Sequence, residues 1–106
     1  MTNLNKIQSA CNRIVGHFHP EKIILFGSYA QGTPSEDSDV DLLIVMRNIK
    51  NEINKAVEIR MAADLDFPSD ILVRTPEKIQ SRIEMGDFFM KNITTHGKTL
   101  YEANYG

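Results

Sequence analysis

The residues in this chain whose types and spacing can do chemistry are Gly27-Ser28 and, after ten intervening residues, Asp39-Val40-Asp41. Side chains on a strand alternate faces, so Asp39 and Asp41 project to one side while Val40 points to the other. Like charges held close cannot both stay ionised cheaply without a counter-charge. A shared divalent cation removes that penalty. An all-oxygen donor set suits Mg²⁺ or Mn²⁺, and Mg²⁺ completes its shell with waters and substrate phosphates rather than a closed protein cage. Gly27 permits a close backbone approach that a Cβ would obstruct, and the Ser28 hydroxyl and the amides after it can donate to phosphate oxygens. The pattern predicts metal-dependent chemistry on a phosphorylated ligand.

Two apolar runs must position these groups: Ile23-Ile24-Leu25-Phe26 stops at the glycine, and Leu42-Leu43-Ile44-Val45-Met46 begins after the carboxylates. They predict strands over residues 22–26 and 40–46. Between them, Thr33-Pro34-Ser35-Glu36-Asp37-Ser38 is turn chemistry, in which proline sets φ and the short polar side chains bond nearby backbone. The chain reverses there, so the strands are expected to be antiparallel, with Ser28 returned to the side of Asp39 and Asp41. Glu36 and Asp37 read as a solvated turn. Residues 69–74 predict a third strand with Asp70, Leu72 and Arg74 on one face. Asp70 opens its apolar run as Asp39 and Asp41 open theirs, which makes it the candidate third carboxylate. Asp64 and Asp66, in the preceding connection, are its rivals.

Helices account for the rest. Leu4, Ile7, Ala10, Cys11, Ile14, Val15 and Phe18 recur at helical spacing over residues 3–18, and Pro20 forbids continuation. Cys11 falls on the buried face as a small apolar residue, and His17 and His19 form a polar helix exit. A helix to about residue 63 is expected to turn Ile53, Ala56, Val57 and Met61 inward and Glu52, Lys55 and Glu58 outward. Thr75 as N-cap and Pro76 at the first position open a helix running to Met85, with Ile79 and Ile83 inward. Gly86 ends it, and Asp87 caps a last helix through His96 that should bury Phe88, Phe89 and Ile93. His96 suits the negative end of that helix. Residues 99–102 form a final edge strand, and residues 103–106 should fray. Core burial is favoured over partner contact for the C-terminal aromatics.

At the Gly-Ser and Asp-x-Asp positions the chain resembles the nucleotidyltransferase superfamily typified by the DNA polymerase beta palm. Within it the resemblance is to the minimal nucleotidyltransferases, antitoxin partners of HEPN-domain toxins. The motif reads Gly27-Ser28-Tyr29-Ala30-Gln31-Gly32-Thr33-Pro34-Ser35-Glu36-Asp37-Ser38-Asp39-Val40-Asp41, and it departs at Gln31, where many relatives carry a basic residue. The resemblance implies an α/β (α+β) fold, a small mixed sheet with helices packed on it. It further implies a third acid on the next strand, at Asp70, as ligand or base. The expected activity is Mg²⁺-dependent transfer of AMP from ATP to a hydroxyl, a tyrosine, of a partner HEPN ribonuclease toxin, with two ions in place when nucleotide is bound. Neutralisation by binding alone, or modification of a small molecule such as an aminoglycoside, are the alternatives.

Length and composition narrow the setting. At 106 residues the chain is expected to be one domain, residues 1–106, with no separate acceptor-recognition module. Its 42% hydrophobic and 25% charged residues are those of an ordinary globular protein. A formal net charge of −2 argues against broad electrostatic binding of nucleic acid. The single cysteine excludes an internal disulfide, and no apolar run reaches the roughly 20 residues of a membrane span, so a cytoplasmic location is expected.

Overall fold

The computed structural model describes residues 2–104. Asn3 opens the first helix, α1 (Leu4–Phe18), by accepting a 2.9 Å hydrogen bond from the Lys6 amide, which satisfies one of the donors a helix start leaves unpaired. Its buried stripe is Ile7, Ala10, Cys11 and Ile14; Leu4, expected inside, is exposed, so burial begins one turn later. His19, in the left-handed region, closes the helix with its N–H on the Val15 carbonyl at 3.0 Å. Buried Pro20 then turns the chain into β1 (Lys22–Phe26).

The elements that follow are α2 (Ser28–Gln31), β2 (Val40–Val45), α3 (Glu52–Ala62), β3 (Ser69–Arg74), α4 (Pro76–Glu84), α5 (Phe88–His96) and β4 (Lys98–Glu102). The four strands make one mixed sheet in the order β3-β2-β1-β4. β1 runs antiparallel to β2 and β4, and β2 parallel to β3, with α3 as the crossover a parallel pair needs. The central strands are apolar on both sides because both faces are covered. One face buries Ile23, Leu25, Val40, Leu42, Ile44, Ile71 and Val73 with the stripes of α1 and α3. The other buries Ile24, Phe26, Leu43 and Val45 against Met90 and Ile93 of α5. The expected mixed sheet with helices packed on it is the observed architecture.

Two further helices, α3 and α5, differ from the burial expected of them. In α3 the buried positions are Ile59 and the capping Ala63, with Ala56 partly covered, while Ile53 and Met61 are each 77% exposed and Val57 is exposed as well. The helix is rotated so that its small residues approach the sheet and Glu52, expected outside, reaches Arg74 of β3 at 3.5 Å. Lys55 likewise lies inward, its ammonium 5.7 Å from the centre of the Phe18 ring. In α5, Phe88 is 83% and Phe89 58% exposed. Neighbouring positions on a helix point roughly 100° apart, and the stripe that faces the sheet is taken by Met90 and Ile93. At the C-terminus the Ala103 N–H bonds the Glu21 carbonyl at 2.8 Å, so fraying does not begin there. Tyr105 and Gly106 lie outside the described residues.

Candidate active site

Asp41 is the second residue of β2, and the parallel register sets it directly beside Asp70, the second residue of β3. Cross-strand partners share a face, so both carboxylates emerge on the α5 side of the sheet at the ends where these strands begin. Asp39, two residues before Asp41, joins them by strand alternation. The start of β2 is held by the Val40 N–H on the Pro68 carbonyl at 2.9 Å, which fixes Asp39 and Asp41 to the segment leading into Asp70. Arg60 of α3 braces the same segment, donating to the hydroxyl and the carbonyl of Ser69, each at 3.0 Å. Upstream, the reversal is knotted by Ser35 and Ser38: the Ser35 N–H donates to the Ser38 hydroxyl at 2.8 Å and the Ser38 N–H to the Ser35 carbonyl at 3.1 Å.

Electrostatics single out Asp41. Burial first, then the charges of Asp70 and of Asp39, push its carboxyl above the ordinary carboxylate value. Asp41 is half-buried, while Asp39 and Asp70 are exposed and solvated.

Gly27 completes the arrangement. Antiparallel pairing sets Phe26 opposite Asp41, and Gly27 follows at φ +74°, a conformation open to glycine. A Cβ added to it would collide with Asp41 Oδ2. The Gly27 carbonyl accepts from the amides of Ala30 at 3.1 Å and Gln31 at 3.2 Å, winding the single turn α2 that starts at Ser28. Buried Tyr29 anchors that turn, its hydroxyl accepting from the Thr2 N–H at 2.9 Å. Ser28 therefore leaves the end of β1 beside the start of β2.

The structure thus brings Gly27, Ser28, Asp39, Asp41 and Asp70 to one end of the sheet. Asp64 and Asp66 are placed elsewhere: Asp64 takes a left-handed conformation in the loop after α3, and Asp66 pairs with Lys6 at 3.2 Å. Neither contributes to the charge felt by Asp41. Among the described residues, no three acidic, histidine or cysteine side chains already close around a single point. The donor set nonetheless fits a hard divalent cation. It is oxygen only, open to solvent on one side, and burdened with negative charge at half-buried Asp41, which suits an ion that keeps waters and takes ligand phosphates.

Alongside Gly27 lies a hollow not singled out by motif reasoning. It measures about 380 Å³ and is lined by Phe26, Gly27, Gln31, Phe88, Phe89, Asn92 and Ile93. Phe89 meets Phe26 edge to face, ring centres 5.8 Å apart. The one sequence signal for it is the Phe88-Phe89 pair, since consecutive rings at the start of a one-sided helix cannot both face the core.

Residues 5–105 match the sequence model of the family described as polymerase beta, nucleotidyltransferase. A candidate protein adenylyltransferase of Methanocaldococcus jannaschii is 40% identical over 53 residues, 50% of this chain and 54% of the relative. The match thus spans about half of that protein. Another candidate protein adenylyltransferase of the same organism is 30% identical over 89 residues, 76% of this chain and 78% of the relative. Among solved structures, a candidate nucleotidyltransferase from Sulfolobus solfataricus superposes with a TM-score of 0.67 at 17% identity, over 97% of this chain and 83% of that one. A toxin-antitoxin complex with AMP-PNP superposes at 0.55 and 23% identity, over 92% and 74%. The two structural likenesses speak for the fold, and the sequence match across nearly the whole length carries the conclusion: this chain belongs to the polymerase beta nucleotidyltransferase family.

Proposed function

We propose that the chain transfers AMP from ATP to a hydroxyl of a partner protein, a tyrosine of a HEPN ribonuclease toxin, and so neutralises it in the cytoplasm. The observation that carries this reading is Asp41 in register beside Asp70, with Asp39 two residues away and Gly27 packed so closely on Asp41 that only hydrogen fits. Supporting it are the relatives named as candidate protein adenylyltransferases and the fold shared with a toxin-antitoxin complex that contains AMP-PNP.

In this reading Asp39, Asp41 and Asp70 hold Mg²⁺. Bound there with nucleotide, such an ion would offset triphosphate charge and lower the pKa of the acceptor hydroxyl. The Ser28 hydroxyl and the amides at the start of α2 donate to the oxygens of the departing phosphates. Gly27, with no Cβ, keeps this turn clear of Asp41 and leaves those oxygens room to approach Ser28. The acceptor oxygen forms its bond to the α-phosphorus as the bond from the α-phosphorus to the bridging oxygen breaks, and pyrophosphate leaves with the electron pair. Where Asp70, at the start of the outer strand, serves as base rather than ligand, it takes the hydroxyl proton. Gln31 is uncharged, so the phosphates are held here by amides, hydroxyl and metal rather than by a cation on this turn.

A second reading is favoured by the exposed stripe Ile53, Val57 and Met61: the chain silences the toxin by covering it. One experiment separates them. The protein, Mg²⁺, ATP labelled at the α-phosphate and the toxin encoded beside it are incubated together. Label on a toxin tyrosine, lost with Asp39→Asn, supports transfer; a silenced toxin without label supports covering.

A further inference from the structure

We propose that Arg60 is a positioning residue for Asp70: its guanidinium grips the peptide unit from which Asp70 issues and so sets the third carboxylate against Asp41. This deepens the nucleotidyl-transfer reading and rests on it. The need for such a grip follows from topology. β3 is an edge strand, joined to the sheet through β2 alone, and Asp70 is its second residue, reached after the connection 63–68 in which Asp64 is left-handed. The first residues of an edge strand have ladder hydrogen bonds on one side, so they are among the readiest parts of a sheet to open. An acid at that place is held loosely unless something braces it.

The carbonyls of Pro68 and Arg74 point toward β2 and accept from the Val40 and Met46 N–H groups at 2.9 and 3.1 Å. Backbone alternation then turns those of Ser69 and Val73 to the open edge, and each is met by a guanidinium. Arg74 donates to the Val73 carbonyl at 2.8 Å, while Arg60 donates to both the hydroxyl and the carbonyl of Ser69, each at 3.0 Å. Arg60 stands in the last turn of α3, so its fork ties the end of that helix, across the connection, to the first residue of β3. The Ser69 carbonyl carbon is bonded to the Asp70 nitrogen, and holding it fixes the peptide plane that aims Asp70. Ser69 shares the face of Ile71 and Val73, turned to α3, whereas Asp70 faces the other way. Arg60 therefore acts through the backbone and leaves the acid cluster its negative charge; the charges that shift Asp41 are those of Asp70 and Asp39. A planar fork suits two oxygens of one residue, where a lysine ammonium is a point charge on a flexible stem.

The test measures kcat and KM for ATP, in transfer of label from α-phosphate-labelled ATP to the toxin encoded beside this chain, for wild type, Arg60→Met, Arg60→Lys and Arg74→Met. Arg60→Met keeps the stem and loses the donors. It is expected to lower kcat by about 10- to 100-fold, the usual loss when a group that orients a metal-site ligand is removed, and to leave KM for ATP within about two-fold. Arg60→Lys, with the charge but not the fork, falls with it. Arg74→Met removes the matching cap roughly 13 Å along the same strand and keeps kcat within about two-fold. Unchanged kcat in Arg60→Met, full kcat in Arg60→Lys, or an equal fall in Arg74→Met each overturns the positioning role and leaves the transfer reading standing. A KM for ATP that rises with kcat unchanged also overturns it, assigning Arg60 to nucleotide binding. Should circular dichroism show that Arg60→Met has lost its fold, Ser69→Ala decides: the loss of one ordinary hydrogen bond is expected to lower kcat about three-fold, and an unchanged kcat overturns the proposal. A wild-type protein that transfers no label overturns the transfer reading and the proposal with it.

Discussion

At the scale of the residue, Asp41 is the group whose environment differs most from that of an ordinary surface acid. Its carboxyl is held above the usual range by burial and by Asp70 and Asp39, so its charged form is disfavoured in the folded chain. Stability contributed at this position is full below the unfolded value, where both states are protonated, and is lost as pH rises through the raised folded value. Asp87 has the opposite sign: the Met90 amide and Arg82 stabilise its carboxylate and lower its pKa, so its contribution is present at neutral pH and disappears as acid protonates it. In buffer free of divalent ions, Asp41→Asn should therefore melt above wild type at pH 7, the gap closing as the pH approaches 4, while Asp87→Asn should lose part of the acid-induced drop. Melting curves across that range check both. Cys11 is a simpler case. Burial pushes its thiol up to about 11, so a thiol reagent at pH 8 should label it only on unfolding, at a rate that tracks global opening; fast labelling of the native chain would contradict the packing of α1.

The elements show what pattern reasoning reaches and where it stops. All four strands, the antiparallel return that brings β2 beside β1, and the Asp-x-Asp pair at the mouth of β2 were legible, because apolar runs bounded by glycine and turn residues leave few alternatives. Asp70 was legible as an echo of the same device, though nothing short of the parallel register of β2 and β3 separates it from Asp64 and Asp66. The rotation of α3 was not. Ile53, Val57 and Met61 form as good a stripe as Ala56, Ile59 and Ala63, and which one turns inward depends on how closely the helix can approach β3, where small residues win. The tightest element contact in the site is Gly27 against Asp41. Gly27→Ala combines a left-handed backbone with a collision at Asp41 Oδ2. Strain of this kind costs about 1–3 kcal/mol, measurable by urea titration. Transfer should fall further than stability, by about a hundred-fold or more, because a 1 Å misplacement at the reacting centre can cost that much.

For the molecule as a whole, the sheet divides labour between its two faces. One is closed by α1 and α3 and is core throughout; the other is core only in its middle, where Met90 and Ile93 sit, and opens at the ends of β1, β2 and β3 into acids on one side and aromatics on the other. A slight negative net charge and no helix among the described residues long and apolar enough to cross a membrane leave that opening as the dominant chemical feature. The exposed rings of Phe88 and Phe89 escaped the composition argument because a small chain was expected to spend its aromatics inside, yet the core here is mostly aliphatic, with Phe26, Tyr29 and Phe67 as its buried aromatics. The central claim is that Asp39, Asp41 and Asp70 hold a divalent cation together with nucleotide. Its most direct test is Mn²⁺ binding followed by electron paramagnetic resonance, with and without a non-hydrolysable ATP analogue, in wild type and in Asp41→Asn. Binding that strengthens with the analogue and weakens at least about ten-fold in the variant is predicted. Equal Mn²⁺ affinity in the two proteins, with nucleotide present, would contradict it.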